Sequence, residues 1–371
     1  MTENSEFISI RVSHVSRLFR DISLRTPRLW TRHSTDHGLD QIHAFLSRSG
    51  HCNIQVEITS FPKADMGSFL QLLAPHSNRW SRLTLDDCEL DPIFQELGLF
   101  NLPRLRFLCH RSPTDLCAFN LPMLSHIMVE KDFWYQNLPF QSQLTWVELF
   151  LHQFTSNETA ELALALYQMR GLRDLSLEFV DCNPFHPAYH HDGAGIHEPH
   201  TFPIESLSIT ISGSPKRGFV TGLYDALSYF VATTVDISLQ FDPPVRNAHT
   251  FIFGSTLGWF PYASMISIHT PLSCDVLYIL ENIARHCAIA QSVRFEVSTI
   301  TDFEHTFDFQ NLGSIQHLHI RNCDTLSEKV VEKLAKNLSL LTLEITTCKM
   351  ISEEFLLNVS DEVGEKIKWA I

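Results

Sequence analysis

Much that would mark an enzyme or a membrane protein is missing from this chain of 371 residues. No apolar run approaches the roughly 20 residues that a membrane-spanning helix needs, so no membrane partner is expected. Residues 1–9 lack the basic-then-apolar profile of a secretory signal. The nine cysteines never form C-x-x-C. Without a secretory signal they read as reduced thiols of the cytoplasm or nucleus. No Gly-x-Ser-x-Gly elbow occurs. Gly193-Ala-Gly195 has no third glycine, and Gly213-Ser-Pro-Lys-Arg-Gly218 lacks the Gly-Lys-Ser/Thr ending of a phosphate-binding loop. Basic residues are scarce as well: 28 Lys and Arg stand against 42 Asp and Glu, a net charge of −14. A nucleic-acid partner, which asks for a basic face, is therefore not expected. No catalytic residue, metal or cofactor is expected either.

What the chain does have is a returning phrase, apolar-x-x-apolar-x-apolar. Trp80-x-x-Leu83-x-Leu85, Leu172-x-x-Leu175-x-Leu177, Ile315-x-x-Leu318-x-Ile320 and Leu340-x-x-Leu343-x-Ile345 are its clearest copies. Weaker copies centre on Leu108, Ile127, Val147, Leu207, Val235, Ile266 and Val293, and successive centres are 19 to 32 residues apart. The last apolar pair of each copy alternates with a polar residue, the mark of a short strand with one face buried. Between strands lie helical stripes, such as Val276, Leu277, Leu280, Ile283 and Ala284, or Val330, Val331, Leu334 and Leu338. Units this small cannot bury their own apolar face and must stack. The expected fold is an α/β solenoid of eleven or twelve repeats, with a parallel sheet on the concave face and helices or turns on the convex face. A long surface of that kind suits the holding of another macromolecule.

Cys88, Cys323 and Cys348 each lie five residues after the centre of their copy. Trp80 to Leu90 fits the leucine-rich-repeat pattern, and the segments after Cys323 and Cys348 resemble its cysteine-containing class. The resemblance implies a structural thiol that packs where the chain leaves its strand. A second element, Phe-x-x-Pro or Asn-Leu-Pro, recurs at Phe100–Pro103, Phe119–Pro122 and Asn137–Pro139, with the shorter Phe-Pro at Phe202-Pro203 and Phe260-Pro261. Proline fixes the approach to each strand, and the Phe is placed to stack on the Phe of the next repeat.

The first 33 residues differ in charge. They carry six Arg against three acids, net +3, so the remainder is net −17. Two parts are thus expected, residues 1–33 and residues 34–371. Val12, Val15, Leu18, Phe19 and Ile22 recur at spacings of three and four, an amphipathic helix. Thr26-Pro27 ends it, and Leu29-Trp30 follows as an apolar plug. Alone, this reads as a helical cap for the first repeat. The run from Val15 to Trp30 also resembles the second half of an F-box. With Ala44 to Ile58 behind it, the chain is similar to fungal F-box proteins with leucine-rich repeats. That resemblance implies a substrate-recognition subunit of an SCF-type ubiquitin ligase. Val15, Leu18, Phe19, Ile22, Leu29 and Trp30 would contact a Skp1-type adaptor, and the sheet would hold an unknown protein substrate. No Leu-Pro and first helix precede Ile10, and Phe19 stands where the family has Trp, so weak adaptor binding is expected. A stand-alone repeat scaffold with no ligase link is the alternative.

One polar stretch remains. Asp181, Cys182, His186, His190, His191, Asp192, His197 and His200 fall in the gap between two strand centres. His186 and His190 have the spacing of a helical zinc pair. The prolines and glycines between them oppose a helix, and an exposed insertion without metal is expected.

Overall fold

The recurring phrase builds strands. The computed structural model describes residues 15–59, 63–86, 91–110, 116–130, 138–182, 198–215, 217–242, 251–252, 260–300, 312–337 and 339–370. The chain is α/β, and among the described residues fourteen strands follow one another in chain order in a parallel sheet. It divides into two compact units, Met1–Glu148 with Gln168–Leu172 and Leu149–Tyr167 with Arg173–Ile371.

In the first unit lie β1 (Arg32–Ser34), β2 (Ile54–Ile58), β3 (Trp80–Leu85), β4 (Phe107–His110) and β5 (His126–Glu130). Here too β6 (Trp146–His152) begins. The second unit holds the end of β6, then β7 (Asp174–Val180), β8 (Phe202–Gly213), β9 (Phe230–Phe241) and β10 (Ala263–Cys274). It continues with β11 (Ser292–Ile300), β12 (His317–Arg321), β13 (Thr342–Thr346) and β14 (Ile367–Ala370). Among the described residues several crossovers are helical, as in Leu39–Ser49, Arg217–Ala226, Val276–His286 and Glu328–Ala335. Their apolar stripes face inward: Val276, Leu280 and Ile283 are buried, as are Val331 and Leu334.

The phrase centres are register partners. Val56, Leu83, Leu108 and Ile127 form one row in the first unit. Leu175, Leu207, Val235, Ile266, Val293, Leu318, Leu343 and Ile367 form another in the second. All are buried. The double-x step has its own cause. The carbonyl of Arg106 accepts from the amides of both Ser125 and His126 at 3.1 and 3.0 Å, and that of Ser125 from Thr145 and Trp146. Arg173, Gln291 and Gln316 repeat the arrangement in the second unit. One carbonyl serving two successive amides lets two residues in a row face outward before the inward alternation resumes.

A second device recurs where strands end. Gln153, Asp181, Asn322 and Thr347 have φ of 51°, 49°, 56° and 54°, in the left-handed region. Each is followed at once by a buried side chain: Phe154, Cys182, Cys323 and Cys348. Their amides bond forward, Gln153 to the Val180 carbonyl and Asn322 to that of Thr346. Cys323 and Cys348 are thus structural, as the sequence pattern implied, and Cys348 lies beside the Cys323 backbone. Burial pushes the Cys348 thiol up to about 11 and raises that of Cys323, so neither ionises readily at neutral pH. Cys88 lies outside the described residues. The Asn-Leu-Pro element also joins neighbours. Phe100 and Phe119 meet edge to face at 5.1 Å, and Asn120 Nδ2 donates to Asn101 Oδ1 at 2.9 Å.

Two expectations need amendment. Fourteen strands exceed the expected eleven or twelve repeats, because β1 and β14 are short and carry too few apolar residues for the phrase. Nor are all strands short: β8, β9 and β10 have twelve residues each, continuing the alternation on both sides of the phrase.

Replacing Leu318 or Leu343 with Ala should cost about 2–5 kcal/mol, read from urea unfolding of each variant. Thr347→Asn should instead raise stability, by about 0.5–1 kcal/mol, because a β-branched residue is strained at positive φ where Asn is tolerated. Thermal midpoints would register the opposite signs.

Candidate functional site

The helix Arg17–Leu24 starts with Ser16, whose hydroxyl accepts from the Phe19 amide at 3.3 Å. It ends where Thr26 Oγ1 donates to the Ile22 carbonyl at 2.7 Å. The structure separates the six residues that the sequence groups together. Val15, Leu18, Phe19 and Ile22 are exposed, at 68, 67, 46 and 49% of their surface. Leu29 is half-buried. Trp30 is fully buried, and its Nε1 donates to the Ser23 carbonyl at 2.8 Å. Its ring meets Phe45 edge to face at 5.1 Å and carries the Arg48 guanidinium 4.5 Å from its centroid. Trp30 therefore ties the helix end to the first unit, as the expected plug. The apolar stripe of the helix is left uncovered by the described residues, so the helix does not cap the repeats with that face. Arg17, Arg20, Arg25 and Arg28 are exposed around the stripe, with Arg25 paired to Asp21 at 3.1 Å. An acidic partner with an apolar groove would fit such a face.

The open faces of the sheet are the second candidate. In the first unit, side chains at successive register positions stack. The Arg82 guanidinium lies 3.6 Å from the Phe107 centroid. Phe107 and His126 follow at 5.6 Å, then His126 and Trp146 at 4.2 Å. Beside this row Cys109 Sγ and Met128 Sδ are 3.4 Å apart.

The second unit presents polar pairs instead. His269 stands between Asp236 Oδ1 at 3.6 Å and Glu296 Oε2 at 3.3 Å. The Asp236 hydrogen bond raises the His269 pKa against the burial that would lower it. Arg294 Nε donates to His319 Nδ1 at 3.1 Å, and His319 Nε2 meets Thr346 Oγ1 at 3.0 Å. Ser267 also hydrogen-bonds the Asp236 carboxylate and helps to hold its pKa below the usual range.

Among the described residues no group of His, Cys, Asp and Glu is arranged to hold a metal. His186, His190, His191, Asp192 and His197 lie outside the described residues. Asp181 and Cys182 belong to the strand-end turn described above, and His200 stacks on Tyr262 at 3.6 Å. No helix among the described residues is long and apolar enough to cross a membrane.

No protein-family model matches the sequence, and no curated protein matches it.

Just after the plug, His33 is wholly buried, and among the described residues neither ring nitrogen has a hydrogen-bond partner. Burial, with His37, Arg79 and His76 nearby, lowers its pKa to about 3. Burial likewise lowers His110 to about 4. In the unfolded chain these imidazoles take a proton near pH 6.5, while the folded chain refuses it. Stability should therefore be full above pH 6.5 and fall as the pH drops towards these values. Each such group contributes up to about 1.4 kcal/mol per pH unit. His33→Leu should flatten that slope in thermal melts between pH 6 and pH 4. An unchanged slope would remove His33 from the account.

Proposed function

We propose that the chain is a recognition subunit without covalent chemistry of its own. Its N-terminal helix docks on a Skp1-type adaptor of an SCF-type ubiquitin ligase, and the open sheet face holds a target protein. The observation that carries this reading is the separation at the N-terminus: Val15, Leu18, Phe19 and Ile22 are exposed while Trp30 is buried. A helix whose apolar stripe is in water, but whose end is fastened to the fold, is placed to receive a partner. The resemblance of Val15 to Trp30 to the second half of an F-box names that partner. The parallel sheet with one apolar and one open face supports the second half of the reading, since recognition needs surface rather than a closed pocket. The cytoplasm or nucleus is the setting this function requires.

Four exposed apolar side chains are a small interface, and stable complexes bury at least about 1,000 Å². Adaptor binding should then be weak, with Kd of about 1 μM or higher. Titration of the purified chain into a labelled Skp1-type adaptor reads it directly. Leu18→Asp should abolish the signal without lowering the thermal midpoint, and a chain preceded by an F-box first helix should bind more tightly. If neither form binds, the ligase link falls, and a stand-alone leucine-rich-repeat scaffold takes its place.

A further inference from the structure

β1 has three residues and, among the described residues, pairs only with β2 at one end of the sheet. It joins the plug at Trp30 to the turn at His37, so whatever holds β1 also holds the N-terminal helix. Its side chain at the centre is His33, wholly buried and 6.3 Å from Phe45. The Phe45 ring also receives Trp30 at 5.1 Å and His37 at 5.4 Å, so two imidazoles and the plug share one phenylalanine. Neither nitrogen of His33 has a hydrogen-bond partner among the described residues. The groups whose charge bears on it are all basic: His37, and His76 and Arg79 from the turn Ala74–Arg79. Arg79 is fixed in place, donating to the Cys52 carbonyl at 2.9 Å and to Ser49 Oγ at 2.7 Å. The acids of the region are engaged elsewhere. Glu57 of β2 holds Arg32 at 2.7 Å, Asp36 accepts from the Ser34 hydroxyl at 3.2 Å, and both bear on His37. On the helix Leu39–Ser49, Asp40, His43 and Arg48 are exposed. A proton on His33 would thus be a buried charge with no acceptor, set among basic groups, which is the least favourable setting for a cation.

We propose that His33 is an acid-sensitive latch: as the pH falls, residues 15–37 detach from the first unit as one layer, while β2 and the strands after it stay paired. A strand with a single neighbour is the easiest part of a stacked sheet to open. Once β1 leaves, water reaches the imidazole, and it takes a proton near pH 6.5. Each pH unit below that value favours the detached layer about tenfold, down to the pKa of about 3 that burial imposes on the attached one. Burial lowers His37 as well and acts in the same direction. His110 stands apart: it lies on β4, between β3 and β5, so its proton would loosen the interior of the unit and not its edge. Detachment removes the tether of a short helix, and a partner seated on the apolar stripe loses its support. The latch goes beyond the recognition role proposed above and holds whether or not that partner is a Skp1-type adaptor.

Hydrogen–deuterium exchange of the full chain, read by mass spectrometry between pH 7.5 and pH 5 and corrected for intrinsic amide rates, tests this. Peptides from residues 15–37 should lose protection about 25-fold between pH 7 and pH 5, while those from β4, β5 and β8 to β10 keep theirs. His33→Leu should hold the protection of the layer constant over that range, and His33→Gln does the same service should the leucine variant misfold. His110→Leu should leave the loss in place. The inference falls if the layer keeps its protection down to pH 5, has none at pH 7.5, or loses it equally in a folded His33 variant. It falls also if β4 and β5 open together with the layer, since the response would then belong to the whole unit.

Discussion

One carbonyl that serves two amides is the constraint on which the rest depends. At Arg106, Ser125, Arg173, Gln291 and Gln316 the same sharing returns, and each time the chain gains a two-residue outward step before its strand turns inward. That step holds Leu83, Leu108 and Ile127 in one buried row, and Leu175 through Leu343 in another. It also aligns what faces outward. Arg82, Phe107 and His126 can stack only because their strands share a register, and His317 reaches Thr342 Oγ1 at 2.7 Å for the same reason. Core and surface are set by a single backbone arrangement.

That arrangement explains what could be read without coordinates. Leu318 and Leu343 stand out because burial on one face of a strand imposes a strict period. Phe100 and Phe119 could be paired because a repeated Asn-Leu-Pro fixes two chains in one conformation. Cys323 and Cys348 were visible at a constant offset from their centres. Cys182 and Phe154 fill the same place but were hidden, since β6 and β7 run two residues longer and the offset grows. Outward residues carry no such signal. Phe107 and Trp146 occupy x positions of the phrase, where composition alone assigns a phenylalanine to the core. Nor can helical period say what covers an apolar stripe: it finds Val15, Leu18, Phe19 and Ile22 on one face and is silent about the far side.

The N-terminal segment shows the same division of labour on a smaller scale. Ser16 and Thr26 close the helix ends, and Trp30 reaches back to the Ser23 carbonyl and down onto Phe45. Anchoring is thus done by residues that follow the helix, and its exposed apolar stripe is left for other contacts. A helix of eight residues is marginal in isolation, so this tether is what keeps it formed while its apolar side meets water.

The spacing of the phrase varies from 19 to 32 residues, yet its centres stay in register. The differences are taken up outside the rows of centres, in strand ends and in crossovers as unlike as the one holding the short turn Leu116–Ala118 and the one holding the helix Val276–His286. Insertions in a crossover leave inward and outward faces as they were, whereas one residue added inside a strand would exchange them. Such a chain can acquire new loops over time at little structural risk, while the order of its strand residues stays closed to change.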